Sequence, residues 1–422
     1  MPLGWTQLKA ILLGLAAGGL VAATLEAGAR VAYALRGDAG RGETGWFVYA
    51  PDLGWTRKPG FKGLEGGYER AFDEQGFFTA DSAQLRDHHD ARVLAFGDSN
   101  TFGVGAPTDA SFVEVADQLL PGVSVINLGV VGGSSYQGRV AVSKFLPALR
   151  PDLVVVSYNF NDRRYVRHRE EADHAEQFER IWQASTGQAA GLQSMLQTSY
   201  ASRGLQSLLT SAGVLSSAPE LDLSTTTPRV DEEGYRRNLE HIIATAGHQG
   251  VPLVFIALKD NPFEVEALDR GLERLAHNDI SGAITALETA IGRHNAFSDL
   301  ARLHLAEAYN RAGRATDAAR ALRTSYQRSL AGGGPIRRDV DYNRIMREVA
   351  AAHAVPVVEG GRAIDERPGD YIDFCHFNAA GHRRIGELLA ERISSTLGAR
   401  TPVPSTPPEP QAIYEQNDLS SN

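Results

Sequence analysis

From Arg92 onward the chain carries short uninterrupted apolar runs: Arg92 to Phe96, Val123 to Leu128, Leu153 to Tyr158, Leu253 to Leu258 and Val355 to Val358. Each is bounded by Gly, Pro, Asn or Asp. Between them apolar residues recur at helical spacing over Phe112 to Leu120, Val140 to Leu149, Tyr235 to Ala246 and Ile385 to Leu397. Apolar runs without alternation are strands covered on both faces. Strands alternating with helices build a parallel sheet between two helical layers, so the pattern predicts an α/β fold of three layers. In such sheets ligands sit beyond the carboxyl ends of the strands, and the residues that follow each run are where chemistry is sought.

The rest of the chain departs from this rhythm. Residues 37–87 are rich in Gly and aromatics (Trp46, Phe47, Tyr49, Trp55, Phe61, Tyr68, Phe72, Phe77, Phe78) without a helical period, which predicts short strands and turns packed beside the main domain. Residues 264–331 are helical throughout. Gly271, Ala283, Leu287 and Ala290 recur as Ala306, Ala318, Leu322 and Ser325 at a constant offset of 35, and Leu305, Ala306, Tyr309, Ala318 and Leu322 resemble a tetratricopeptide (TPR) pair. An ordinary helical hairpin is the alternative. Nothing in this stretch offers catalytic chemistry, so it reads as a module whose replacement by a linker leaves hydrolysis of a small substrate intact. Ser185 to Thr227, rich in Ser, Thr, Gln and Gly, reads as a lid or insertion, and residues 399–422, with five prolines from Thr401 on, as a disordered tail.

Ala10 to Leu25 is an uncharged apolar run preceded by Lys9. Extended through Leu35 it suits a single membrane anchor over residues 1–36. Ala27-Gly28-Ala29 also fits a signal-peptide cleavage site, and a buried helix is the third reading. Positive-inside counting of Arg30, Arg36 and Arg41 taken alone keeps the body cytoplasmic; interleaved Glu26, Asp38 and Glu43 weaken that count, and an extracytoplasmic body is expected.

Composition narrows the chemistry. With 43% apolar and 22% charged residues most of the 422-residue chain must fold, and a net charge of -9 offers no attraction to nucleic acid. The single cysteine, Cys375, rules out an internal disulfide and any multi-thiolate metal site. There is no Walker loop and no H-E-x-x-H, so neither a nucleotide cofactor nor a metal is implied.

Four polar signatures stand where the pattern directs attention. Gly97-Asp98-Ser99-Asn100 follows the first run, Gly132-Gly133-Ser134 follows the second, Asn159-Phe160-Asn161-Asp162 follows the third, and Asp373-Phe374-Cys375-His376 precedes the last helix. Each alone has an ordinary explanation, Ser99 as a helix cap above all. Their order and placement together resemble the SGNH, or GDSL, hydrolase superfamily, across residues 88–263 and 332–398 with the helical stretch inserted between. Two positions depart from the family pattern: Asn159 where a glycine is usual, and Phe377 where a proline is common.

The resemblance implies a flavodoxin-like sandwich and a triad with Ser99 as nucleophile, His376 as base and Asp373 as its orienting acid. Ser99, Gly132 and Asn161 would form the oxyanion hole. His382, within the last helix, is the rival base and reads as a packing residue. The implied activity is ester hydrolysis through an acyl-enzyme on Ser99, on O-acetyl groups of envelope glycans or other small esters. An O-acyltransferase using the same triad and a non-catalytic scaffold binding a protein through the TPR-like stretch are the alternatives.

Overall fold

The computed structural model describes residues 46–50, 52–84, 91–166, 227–292, 297–321, 336–338, 340–364 and 367–398. The anchor or signal over residues 1–36, the Ser/Thr-rich stretch up to residue 226 and the tail lie outside the described residues. Among the described residues no helix is long and apolar enough to cross a membrane. The chain divides into two units, residues 1–48 with 178–219 and residues 49–177 with 220–422. Only Trp46–Val48 of the first are described, and the architecture below is that of the second.

The extension contributes β1 (Phe47–Ala50), β2 (Gly54–Arg57), an antiparallel hairpin of β3 (Lys62–Glu65) and β4 (Tyr68–Ala71), and α1 (Thr79–Gln84). Three of its aromatic residues pack into the main domain: Phe72 and Phe78 against Phe102 and Phe77 against Phe145, each about 1% exposed. Buried Arg70 of β4 donates to the carbonyls of Gly103 and Ala106. Arg57 of β2 donates to Asn127 O.

The main sheet is parallel throughout. Its central strand β5 (Ala91–Gly97) pairs with β6 (Val123–Gly129) on one side and β7 (Leu153–Ser157) on the other, and β10 (Leu253–Ile256) and β11 (Val357–Val358) extend the β7 side. A short antiparallel pair, β8 (Tyr165–Val166) and β9 (Thr227–Pro228), stands apart from this sheet. Residues alternate between two cores, as a strand's period of two demands. Val93, Ala95, Val125, Val155 and Val254 face one, with α3 (Phe112–Leu119) and α10 (Ala379–Gly398). Leu94, Phe96, Ile126, Val156 and Phe255 face the other, with α4 (Ser135–Leu149), α5 (Glu232–His248) and α9 (Tyr342–Ala352). This is the three-layer α/β/α sandwich of the SGNH type.

Helices α4, α5 and α10 begin earlier than apolar spacing suggests, because their first turns are polar and caps start them, Asp231 accepting the Gly234 N–H at α5. Ser134 and Gln137 form a capping box at α4. Asn378 accepts the Ala380 and Gly381 N–H groups at α10. At β11 the strand is shorter than its apolar run: Val355 N–H is taken by Ala350 O, closing α9, and Pro356 has no N–H to give.

The helical stretch comprises α6 (Pro262–Ala276), α7 (Ile280–Gly292) and α8 (Ser298–Arg311), with α7 packed on both neighbours. Gly271 lets α6 and α7 close, since a Cβ there would stand 2.7 Å from Leu287 Cγ. The reading of this stretch as a dispensable module needs correction. Val265, Leu287 and Leu300 belong to the same buried core as Val93 and Ile385. Phe297 packs edge-on against Phe374, with ring centroids 5.2 Å apart, inside the loop that carries His376. Asn261, ahead of α6, donates through its backbone to Phe374 O at 2.7 Å and through its amide to Asp373 O at 3.2 Å. The helices brace that loop.

His382, fully buried in α10, packs between Phe112 and Phe377. Its Nδ1 accepts the Phe112 N–H and its Nε2 faces Val104 O. Burial holds this imidazole down from its ordinary 6.5 to about 4, against the upward pull of the bond to Val104.

Two predictions follow from this packing. Phe297→Ala should lower the melting temperature and also slow turnover at temperatures well below melting, whereas Leu287→Ala, of comparable cost in stability at about 2–5 kcal/mol, should leave turnover unchanged. Equal turnover in both would remove the bracing role. For His382 the folded state binds its proton only near pH 4 and the unfolded state near 6.5, so stability must fall as pH drops through that interval. His382→Gln keeps an acceptor and a donor without the titration, and denaturant melts from pH 7 to 4 should show a shallower decline than the parent.

Candidate active site

Strands β5, β6 and β7 end on one row: Gly97 is in register with Gly129 and with Ser157. The three loops that leave them therefore start at the same level, at the place where the strand order reverses. Ser99 opens the short helix α2 (Ser99–Phe102) directly beyond β5. Glycine at 97 is a steric requirement, because a Cβ there would land on the Thr101 side chain and 2.7 Å from Ser157 O. Asp98 caps α2, its Oδ1 accepting the Asn100 N–H at 2.9 Å. Burial pushes the Asp98 carboxyl up to about 6, although that N–H and the charge of His376 work against the rise.

The last signature closes on this helix from the far end of the chain. His376 Nε2 lies 2.8 Å from Ser99 Oγ, and His376 Nδ1 lies 2.7 Å from Asp373 Oδ2. The other Asp373 oxygen accepts the backbone N–H groups of Cys375 and His376, at 2.9 and 2.8 Å. One oxygen thus folds the turn and the other faces the imidazole, which explains the three-residue spacing. A carboxylate only accepts, so Nδ1 carries the proton and Nε2 is left to accept from the serine hydroxyl. Burial of Asp373 opposes ionisation, but the hydrogen bond and charge of His376 and the two N–H groups outweigh it and hold the carboxyl below its usual range. Cys375 lies behind the imidazole, its Sγ 3.7 Å from Nδ1.

Asp373, Cys375 and His376 also bring their ligating atoms within 4.8 Å of one another. Burial drives the Cys375 thiol well above its ordinary range, and the neighbouring carboxylates add to that, so the thiolate a metal would need is disfavoured. The geometry suits proton transfer better than metal binding.

The second and third signatures meet beside Asp98, the residue before the serine. Val130 N–H binds Gly97 O at 2.9 Å and Gly133 N–H returns to Val130 O at 2.9 Å, so the loop after β6 is fastened to the end of β5. Asn161 donates through Nδ2 to Gly133 O at 3.0 Å and, at a longer 3.4 Å, to Asp98 Oδ2, while its Oδ1 accepts from Arg164 at 3.2 Å. Among the described residues nothing accepts from the backbone N–H of Ser99 or of Gly132. Two backbone donors stand open at the site, and the Asn161 amide is partly engaged.

Of the five residues singled out from the sequence, Ser99 opens α2, and Gly132, Asn161, Asp373 and His376 lie on loops at this sheet edge. His382 is not among them; it sits in the core beneath. Asn159 turns away from the serine, its amide bridging Leu258 O and Asn343 and tying β7 to β10 and α9. Phe377 is buried against Tyr371. Asp162 escaped notice as a functional residue. Fully buried, it accepts the Ser135 N–H and hydroxyl at the start of α4 and joins the loops after β6 and β7. Asn261 was equally silent. Asn-Pro announces a helix start, but nothing local announces its bond to Asp373.

Residues 95–277 match the model of the GDSL-like lipase/acylhydrolase family. No curated protein matches the chain. Solved structures that resemble it include a lipolytic protein of the G-D-S-L family from Veillonella parvula DSM 2008, 12% identical with a TM-score of 0.33 over 74% of this chain and 99% of that one. A lipase/acylhydrolase from Enterococcus faecalis is 16% identical with a TM-score of 0.35, over 75% and 100%. A catalytic mutant of an acetylxylan esterase from Geobacillus stearothermophilus is 13% identical with a TM-score of 0.35, over 73% and 96%. Likenesses of that size carry no weight on activity, whereas the family match takes in the first three polar signatures and the strands that present them. Over residues 95–277, less than half of its length, the chain is thus similar to the GDSL, or SGNH, hydrolases, and it is an ester-hydrolysing enzyme.

Proposed function

We propose that this enzyme removes O-acyl groups, O-acetyl above all, from envelope glycans or other small esters through an acyl-enzyme on Ser99. The observation that carries the reading is the continuous relay from Asp373 Oδ2 through both imidazole nitrogens of His376 to Ser99 Oγ, at 2.7 and 2.8 Å. As Oγ attacks the ester carbonyl carbon, Nε2 takes its proton, and Asp373 remains ionised beside the imidazolium. The bond to the alkoxy oxygen then breaks, and the same proton goes to the leaving alcohol. Water attacks the acyl-enzyme in the second half, giving its proton to Nε2, and Ser99 is restored with release of the carboxylic acid.

The carbonyl oxygen gains charge in both halves. The open N–H groups of Ser99 and Gly132 would bind it, and the Asn161 proton held loosely by Asp98 would turn to it. A donor of this kind contributes on the order of 3 kcal/mol. If a sugar hydroxyl replaces water in the second half, the same residues perform acyl transfer.

The choice of an acetylated envelope glycan rests on the family resemblance and on the apolar run Ala10 to Leu25, which supports a membrane anchor. The 35-residue offset within residues 264–331 supports a TPR-like surface for a protein partner.

Ser99→Ala should abolish fluorophosphonate labelling and cut turnover of an aryl acetate by roughly 10⁴-fold or more with melting unchanged. Undiminished turnover would end the assignment. Asn161→Ala should lower kcat by about 100-fold at nearly constant KM, and a pure KM effect would make Asn161 a substrate contact only. Incubation of an acetylated glycan with and without an acceptor sugar then separates hydrolysis from transfer.

A further inference from the structure

Gly132 is held by residues from distant parts of the chain. The indole N–H of Trp55, on β2, donates to Val131 O at 2.9 Å. The ring itself lies over Gly132, so that a Cβ added there would stand 3.3 Å from Trp55 Cζ2. Arg229, itself buried, covers the indole, its guanidinium carbon 5.1 Å from a ring centroid, and donates to Gly132 O at 2.6 Å. A second Arg229 nitrogen reaches Gln137 Oε1 at 2.8 Å, and Gln137 in turn donates to Leu53 O. Both peptide units that flank Gly132 are thus pinned by their carbonyl oxygens, around a residue at φ +77° that only glycine adopts without strain.

The consequence lies in the planarity of the amide. The Val131–Gly132 peptide is trans, so its C=O and N–H point to opposite sides. Holding Val131 O against Trp55 fixes the direction of the Gly132 N–H, away from the indole, and that N–H is one of the two open donors at the site. A hydrogen bond accepted by the carbonyl also polarises the amide, which makes its N–H a stronger donor to negative charge.

We propose that Trp55 is a positioning residue of the reaction: through the Val131–Gly132 peptide it aims and polarises the Gly132 N–H at the oxyanion. The inference rests on the acyl-enzyme reading above. It gives the extension ahead of the sheet a part in transition-state binding, with no contact to substrate.

Trp55→Phe keeps a ring over Gly132 and removes the N–H. For an aryl acetate kcat should fall about 10- to 100-fold, somewhat less than loss of a whole oxyanion donor, with KM within about twofold of the parent. An alkyl boronic acid adds Ser99 Oγ to boron and forms a tetrahedral anion in the same place; its affinity should fall by the same factor. The pH profile of kcat/KM should keep its shape, because the relay through His376 is untouched. A second variant carries the benzothienyl analogue of tryptophan at position 55, in which sulfur replaces the indole N–H with the shape kept, and it should reproduce both losses.

Full kcat in either folded variant overturns the proposal, and so does a fall in kcat with boronate affinity unchanged. Failure of the underlying reading looks different. The parent enzyme would then escape fluorophosphonate labelling, or Ser99→Ala would retain activity, whatever the state of Trp55.

Discussion

The register of β5 against both of its neighbours is the constraint on which the site depends. Gly97 is level with Gly129 and Ser157, and three loops of unrelated sequence leave the sheet side by side. A slip of one residue would displace a loop by about 3.3 Å along the strand and turn its side chains to the opposite face. The 2.8 Å bond between Ser99 and His376 tolerates no such shift. Register is protected by burial on both faces: every residue of β5 is buried, so any slip would move residues between two cores of different shape.

A second level of support is electrostatic and lies around the loop that carries His376. Asp260 is gripped by Arg163 at 2.7 Å and by Arg338, which also reaches Asp269 at 2.6 Å. Burial alone would raise the Asp260 carboxyl, but these two guanidinium groups hold it below its ordinary value. The next residue, Asn261, fastens Phe374 and Asp373. The paired charges fix the start of α6, and the start of α6 fixes the loop. Removing Asp260 would leave the buried Arg163 guanidinium uncompensated, which is far more costly than never having placed the pair.

Much of this was legible in the sequence, and the limits have physical causes. Five apolar runs disclosed the sheet because strands covered on both faces have no polar side to interrupt them. Ser99 and Asn161 stood out because strand ends are where a parallel sheet presents polar groups, whereas Asp373 and His376, ahead of the last helix, stood out only through the resemblance of the four signatures in order to a known family. The starts of α4, α5 and α10 were not legible, since capping residues, and not apolar spacing, determine them. Trp55 and Asn261 act on carbonyl oxygens of residues 76 and 112 positions away, and a main-chain acceptor leaves no mark on the identity of the residue that carries it. The role of α6 to α8 was misjudged for a related reason. A helical repeat reports its own pairing, whereas the edge of Phe297 against Phe374 belongs to tertiary structure.

The separation of 277 positions between Ser99 and His376 bears on how the protein comes to life. Loop-closure entropy grows only slowly with length, so bridging such a distance is thermodynamically mild, but contacts this remote form late in a folding reaction. A ribosome that has finished the strand ahead of Ser99 and both of its neighbours has a recognisable sheet and no His376. Edge strand β11, two residues long, and α10 come last. On the mechanism proposed above, catalytic competence would coincide with completion of the fold, and a nascent chain released before residue 376 would be inert toward esters, however native its first half.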